Sequence, residues 1–432
     1  MKKHIIKNKF TYLAAFCILT IIGCKKNYVN PAAATEEQVF SSARGLTGVA
    51  TGLQRVYSAG RASSLYNVVT ADAFLTNQVS ILNQGNTAEY QLFLGGGSVD
   101  GTNTILGGMW TSSNKIIYDA DLVITNAEAL ADKAYASGLI GYASIFRALS
   151  IGNMAMFWEQ VPEGIGASVN FISRVDGFTQ AIATIDKALT AINATPISSA
   201  FIANVPAGID IVNTLYALKA RYSLFAGNFA QALTAANAVD LTKKSTLNYD
   251  AINLNPIFET VTSTNNVYAV IDSVMGLPVS VQPNPADQRP LFYISTNASA
   301  PRFRVKGFGG TTTAAFPVYL PGEMILIKAE AYARQNQLPQ AVIELNKVLT
   351  KQPANDPFGV GANLPAYSGP VTQADILLEI YRQRRIELFM SGLSLEDMRR
   401  FGRANTEKKR NFFPYPFRER DNNPNTPADP TF

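Results

Sequence analysis

Histidine occurs once in this sequence, at His4, and cysteine twice, at Cys17 and Cys24. All three lie in or beside an N-terminal stretch that is basic through Lys9 and then apolar and uncharged from Phe10 to Gly23, the order of a secretory leader. The apolar part is shorter than the roughly 20 residues that a stable membrane-spanning helix needs, and no later stretch is long and apolar enough to cross. Residues Ile21-Ile22-Gly23-Cys24 look like a lipobox, which implies cleavage before Cys24 and a lipid on its sulfur. Acyl chains contribute about 0.8 kcal/mol per buried methylene, so an acylated Cys24 anchors a protein to a membrane without any spanning helix.

Removal of residues 1–23 leaves no imidazole and no free thiol. Ser-His-Asp and Cys-His nucleophilic sites, histidine general bases and nearly all zinc sites are thereby excluded, as are disulfides. Hydrolysis by paired carboxylates survives this cut. Calcium would need an Asp-rich loop of the right spacing, which is absent. Net charge is also scarce: the formal +5 falls to +1 once Lys2, Lys3, Lys7 and Lys9 leave with the leader. A nucleic-acid partner is not indicated, and no cofactor is implied.

Helical periodicity is abundant. Val39 to Tyr57, Asn114 to Ala131, Gly138 to Glu159, Asp176 to Asn193, Ile211 to Ala226, Phe229 to Val239, Gly322 to Gln335, Pro339 to Lys351 and Gln373 to Phe401 each carry an apolar stripe at i, i+3, i+4 spacing. Two long stretches, Gly60 to Met109 and Asn253 to Pro321, are rich in Gly, Asn, Ser, Thr and Pro and read as irregular. Tyr216 to Leu233 aligns with Ile325 to Val342, placing Ala220 over Ala329, Gly227 over Asn336 and Ala232 over Ala341. These are tetratricopeptide-like helical hairpins, with a weaker third copy from Arg147–Trp158 and Phe178–Ile182. The expected organisation is a leader at 1–23, a tether at 24–35 and one mostly α domain at 36–432, its N-terminal part about 36–240 and its C-terminal part about 250–432.

Four segments resemble the SusD/RagB family of outer-membrane lipoproteins from Bacteroidetes. They are Met109-Trp110 through Asp121-Leu-Val-Ile124; Arg147-Ala148 through Trp158-Glu-Gln-Val161-Pro162; Asp287-Gln-Arg289 with Glu323 through Ala331; and Arg384-Arg385-Ile386-Glu387-Leu388 through Asp397-Met398-Arg399-Arg400-Phe401-Gly402. Asp121 stands where the family usually has Asn. Ser391 and Ser394 stand where it has Glu and Arg, which reads as an ion pair removed as a unit, since losing one partner strands a charge.

The resemblance implies tetratricopeptide-like helices supporting long insertions that form a ligand face. It also implies a cell-surface protein that binds a nutrient, glycan or peptide, and delivers it to a SusC-like TonB-dependent transporter. The aromatics Tyr66, Phe74, Tyr90, Phe93, Tyr268, Phe292, Tyr293 and Phe303 lie in the two irregular stretches. Sugar recognition needs a flat aromatic face plus amide and carboxylate partners, which makes Asn86, Tyr90, Gln91, Phe93, Asp100, Asn103, Tyr268 and Tyr293 the candidate ligand residues. Trp110 and Trp158 are assigned to the core. Glu323, Glu330, Glu387 and Asp397 have Arg and Lys neighbours, so ion pairing explains them better than glycosidase chemistry. A scaffold lipoprotein that binds another protein is the alternative with the same fold, but loops this long are unusual for a plain scaffold.

Overall fold

The computed structural model describes residues 35–263 and 266–432. The leader, Cys24 and nearly all of the tether therefore lie outside the described residues. The architecture is mostly α, with helices α1 (Ala43–Ser58), α2 (Ser64–Leu75), α3 (Thr87–Leu94), α4 (Thr104–Glu128), α5 (Lys133–Phe157), α6 (Arg174–Ala194), α7 (Ile211–Phe225), α8 (Phe229–Asn237), α9 (Pro321–Arg334), α10 (Leu338–Leu349), α11 (Gln373–Glu387) and α12 (Ser394–Arg400). Several further helices are shorter than these. Among the described residues no helix is long and apolar enough to cross a membrane.

Three antiparallel pairs form the scaffold: α5 on α6, α7 on α8 and α9 on α10. The turns of the last two are the same in atomic detail. After α7, Gly227 adopts φ 79° and the Asn228 amide donates to the Ser223 carbonyl at 2.8 Å. After α9, Asn336 adopts φ 58° and the Gln337 amide donates to the Tyr332 carbonyl at 2.9 Å. Both are Schellman closures, in which a left-handed residue lets the next amide satisfy an orphan carbonyl of the last turn. Asn228 also accepts from the Gln231 amide and so starts α8. Ala220, Ala329, Ala232 and Ala341 are fully buried, which permits the close helix approach expected of them. Between α6 and α7, Phe178, Tyr222 and Phe225 pack with ring centroids 5.9 and 5.5 Å apart. Full burial of one such ring contributes about 1.5–3 kcal/mol.

Two expectations are corrected here. The span 60–109 is not irregular: it holds α2, α3 and the start of α4. Every residue of α2 is buried, so no polar face alternates with an apolar one and the periodic signal vanishes. The helix expected over 373–401 is two helices. Met390 at φ 58° and Gly392 at φ 84° break it between Glu387 and Ser394, because left-handed residues cannot propagate a right-handed helix.

The second stretch, 253–321, holds four short strands, two of which pair with strands distant in sequence. β1 (Val79–Ile81) pairs antiparallel with β5 (Tyr268–Val270), Val79 opposite Val270. β2 (Gln160–Pro162) pairs with β3 (Phe171–Ser173), and β4 (Thr246–Leu247) with β8 (Phe316–Pro317). β6 (Ile294–Thr296) and β7 (Phe303–Val305) form a hairpin with Ser295 opposite Arg304. The two insertions thus meet through the β1–β5 ladder.

Trp158 and Trp110 are buried, as expected. Trp158 Nε1 donates to the Pro414 carbonyl at 3.0 Å and Trp110 Nε1 to Glu419 at 3.0 Å. Asp121 pairs with Arg147 at 2.6 Å, so the family's Asn is replaced by a charge that has a partner. Ser394 Oγ accepts from Gln78 Nε2 at 3.1 Å, while Ser391 Oγ is buried without a partner. Burial pushes the Asp72 carboxyl up to about 6, although the Leu395 amide donates to it at 2.6 Å.

Candidate functional site

The candidate ligand residues divide into three groups. Asn86, Tyr90, Gln91 and Phe93 come together on α3 and the residue preceding it. The Tyr90 and Phe93 rings, one helical turn apart, lie nearly parallel at 17° with centroids 6.4 Å apart. Both are partly exposed, and among the described residues no group hydrogen-bonds the Tyr90 hydroxyl. Phe93 meets Phe74 edge-on at 6.4 Å, and Phe74 meets Tyr268 at 5.1 Å. The exposed pair therefore rests on a buried aromatic column.

Asp100 and Asn103 serve the backbone instead. Asn103 is buried and caps α4, accepting from the amides of Ile105 and Leu106, while its Nδ2 donates to Gln91 Oε1 at 2.7 Å. Asp100 is exposed and closes a turn by accepting from the Thr102 amide at 2.8 Å.

Tyr268 and Tyr293 are withdrawn from the ligand face by burial, at 1% and 2% exposure. The Tyr268 hydroxyl shares a hydrogen bond with Thr70 at 3.1 Å, and the Tyr293 hydroxyl donates to the Glu387 carbonyl at 2.5 Å. Each side chain faces the interior from its strand or short helix, so neither can present a ring to a sugar.

Sequence reasoning missed the groups that surround the Tyr90–Phe93 shelf. Arg61, half exposed, donates to Asn86 Oδ1 at 3.0 Å and binds buried Glu89 at 2.6 Å, and Glu89 also accepts from the Tyr66 hydroxyl at 3.0 Å. Asn83 Nδ2 donates to Asn266 Oδ1 at 3.1 Å, linking the loops beyond β1 and before β5. Lys409 arrives from the far end of the chain, its Nζ 4.2 Å from the Phe93 centroid. Burial, with no carboxylate to offset it, lowers the Lys409 ammonium to about 8. The spacing of 316 positions between Phe93 and Lys409 hides this contact from any local reading.

The four carboxylates weighed for catalysis are all committed. Glu323 takes two bonds from Arg221 at 2.6 and 2.7 Å; Glu330 takes two from Arg400, both at 2.8 Å. Asp397 is held by Arg384 and Arg400 at 2.9 Å each. Burial would raise Glu330, but Arg400, with Arg384 and Arg334 beyond it, brings it down to about 2. A carboxylate held ionised in this way cannot act as a general acid near neutral pH. An interior cavity of about 50 Å³ beside Glu323 and Arg221 suits water rather than a sugar ring.

Glu387 belongs to a further network. Arg289 contacts Asp287 at 2.6 Å and Glu387 at 3.1 Å, and Lys351 contacts Glu387 at 2.7 Å and Asp356 at 2.8 Å. The side chains of Arg289, Asp287 and Glu387 are wholly buried. Burial opposes the Arg289 charge, yet Asp287 and then Glu387 outweigh it and hold the guanidinium protonated. This network fastens the second insertion to α11.

Residues 304–429 match the SusD family. The structure is similar to a SusD superfamily protein from Bacteroides thetaiotaomicron, with TM-score 0.70 and 14% identity over 90% of this chain and 100% of that one. It is also similar to SusD-like carbohydrate binding proteins from Bacteroides vulgatus and Bacteroides fragilis. For the first the TM-score is 0.67 at 18% identity, covering 87% of this chain and 86% of that one. For the second it is 0.69 at 14% identity, covering 90% and 99%. The chain has the SusD fold. No curated protein matches it. Within the SusD-matching region lie most of β7, the hairpin α9–α10, the Arg384–Gly402 segment and Lys409, while the Tyr90–Phe93 shelf lies outside it.

Proposed function

We propose that this chain is a surface lipoprotein that binds a glycan at the Tyr90–Phe93 shelf and passes it to a SusC-like TonB-dependent transporter. The observation that carries this reading is the shelf itself. Two near-parallel rings stand partly exposed, with the amides of Asn83, Asn86 and Gln91 and the Arg61 guanidinium around them. Rings of this kind cover the C–H face of a sugar, and the surrounding amides supply donors and acceptors for its hydroxyls. The SusD fold, and neighbours described as carbohydrate binding, support the same reading. A peptide is the other ligand that such amides accept.

Tyr90 offers a clean test because its hydroxyl holds nothing in place. Titration calorimetry of the detergent-solubilised full chain against oligosaccharide and peptide panels should find a glycan, and Tyr90→Ala should weaken it on the order of three- to tenfold. Tyr118→Ala, at a 47% exposed tyrosine on α4, should leave affinity unchanged. Binding to neither panel, together with capture of a protein that is not a transporter, overturns the reading in favour of a scaffold. The anchor is tested separately. Cys24→Ala should release the chain from the membrane fraction, and unchanged retention removes the lipid from the account.

A further inference from the structure

The β6–β7 hairpin carries positive charges that no carboxylate among the described residues neutralises. Arg302, Arg304 and Lys306 alternate with Phe303 and buried Val305; Arg302 and Lys306 are exposed and Arg304 is partly buried. At a rise of about 3.3 Å per residue, the Cα atoms that carry the three cations stand roughly 6.6 Å apart along the chain. None has a carboxylate partner among the described residues. Lys306 Nζ donates only to the Leu291 carbonyl at 2.9 Å, and Arg304 Nε is buried without an acceptor.

The sequence shows that no acid is hidden nearby. Residues 290–322 contain neither Asp nor Glu, residues 1–35 contain none, and positions 264 and 265 are Thr and Asn. Glu259, on the Phe258–Ser263 turn packed against β7, is exposed and pairs with none of the three. An ordinary solvated face mixes both signs, as Lys115 with Asp119 and Lys187 with Glu128 do elsewhere on this molecule. Beyond Lys306 the partly exposed rings of Phe292, Phe308 and Phe358 touch in series at 5.2 and 5.8 Å, with Lys244 Nζ 5.5 Å from the Phe358 centroid.

We propose that this cationic strand and its aromatic flank form a second binding surface, which takes a uronate-containing polysaccharide and gives the protein a preference for acidic glycans. A line of evenly spaced cations matches a polymer that carries charge at regular intervals, and a single anion would engage only one of them. Planar guanidinium groups at Arg302 and Arg304 fit planar carboxylates in the two-bond arrangement. The partly exposed rings of Phe292 and Phe358 near the charges favour a sugar over a lipid headgroup, because an aromatic ring can cover the C–H face of a sugar. The inference rests on the glycan-binding reading and narrows its substrate class.

The test is affinity electrophoresis of the solubilised full chain in gels containing polygalacturonate, dextran, dextran sulfate or no polymer, with flotation on anionic phospholipid vesicles alongside. Retention by polygalacturonate, weakened by added salt and reduced at least tenfold in Arg302→Gln/Arg304→Gln/Lys306→Gln, is the expected result. Arg302→Lys/Arg304→Lys, which keeps the charge but loses the two-bond geometry, should lose the preference for polygalacturonate over dextran sulfate, and the melting temperatures of both variants should match the parent. Retention by dextran alone overturns the acidic preference while leaving glycan binding intact. Equal or stronger retention by dextran sulfate overturns the carboxylate assignment, and vesicle binding without polygalacturonate retention replaces the glycan with a membrane. Retention by no polymer overturns this proposal, and the calorimetric panels then decide the broader reading independently.

Discussion

Replacing Arg289 by alanine should lower the unfolding free energy by about 3–5 kcal/mol, the cost of leaving buried charge without its partner. Two carboxylates would be stranded at once. Asp287 would lose both of its guanidinium bonds, at 2.6 and 3.0 Å, and Glu387 would keep only Lys351. Neither side chain has any exposed surface through which water could compensate. Guanidinium denaturation of the full chain, with Lys115→Ala as the exposed reference, measures the effect. The reference pair spans one helical turn with its lysine 58% exposed, and should cost no more than about 0.5 kcal/mol. A loss below 1 kcal/mol for Arg289→Ala would show that the insertion is held by its apolar contacts instead.

A comparable loss is expected from the smallest possible addition of mass. Gly276→Ala places a methyl group inside the radius of the Asn77 carbonyl oxygen, at a backbone position with φ +69°. The left-handed conformation costs an L-residue about 1–2 kcal/mol, and overpacking against rigid backbone adds about 1–3 kcal/mol. Gly227→Ala separates the two terms, because its φ is +79° and nothing lies within 4 Å of the added carbon. If steric contact matters, Gly276→Ala should be the more damaging by at least about 1 kcal/mol. The consequences should also be local. The Ile271 amide donates to the Gln78 carbonyl at 3.2 Å, so hydrogen exchange should accelerate first along β1 and β5, which frame the Asn83–Asn266 contact. Equal costs for the two alanines would refute the close approach.

These two positions show where sequence reading succeeds and where it stops. Periodicity located α7, α8, α9 and α10 to within one or two residues; α8 and α10 expose one face and bury the other, while α9, buried over nearly its whole length, was legible through its alignment with the α7–α8 hairpin. The alignment of Gly227 with Asn336 was legible since both residue types tolerate a left-handed turn. The pairing of Glu323, Glu330, Glu387 and Asp397 with basic residues was legible from their neighbours on the same helices, although the actual partners Arg221 and Arg289 come from elsewhere. By contrast α2 has no polar face to reveal it, and the β1–β5 ladder joins residues almost 200 positions apart, beyond any local pattern.

The site was legible in its centre and illegible at its edges. Tyr90, Phe93, Asn86 and Gln91 share one short segment, so composition alone grouped them. Tyr268 and Tyr293 were misread because a Gly- and Asn-rich segment gives no indication of which side chains turn inward. Arg61, Asn83, Asn266 and Lys409 were overlooked because each is an ordinary polar residue until the chain brings it beside the rings.

The reach of the final segment into the first insertion has a consequence for how the molecule is made. Lys409 lies over Phe93, the Gly96 amide donates to the Lys409 carbonyl at 2.9 Å, and Arg410 donates to the Gly96 carbonyl at 2.6 Å. Phe417 packs at Gly101 and Phe432 at Gly97. A nascent chain emerging in order would hold α3 for more than 300 residues of further synthesis before these contacts became available. The shelf would therefore be the last part of the protein to mature, and a chain stopped short of residue 409 would have its rings and the aromatic column beneath them but not the cation that lies over Phe93.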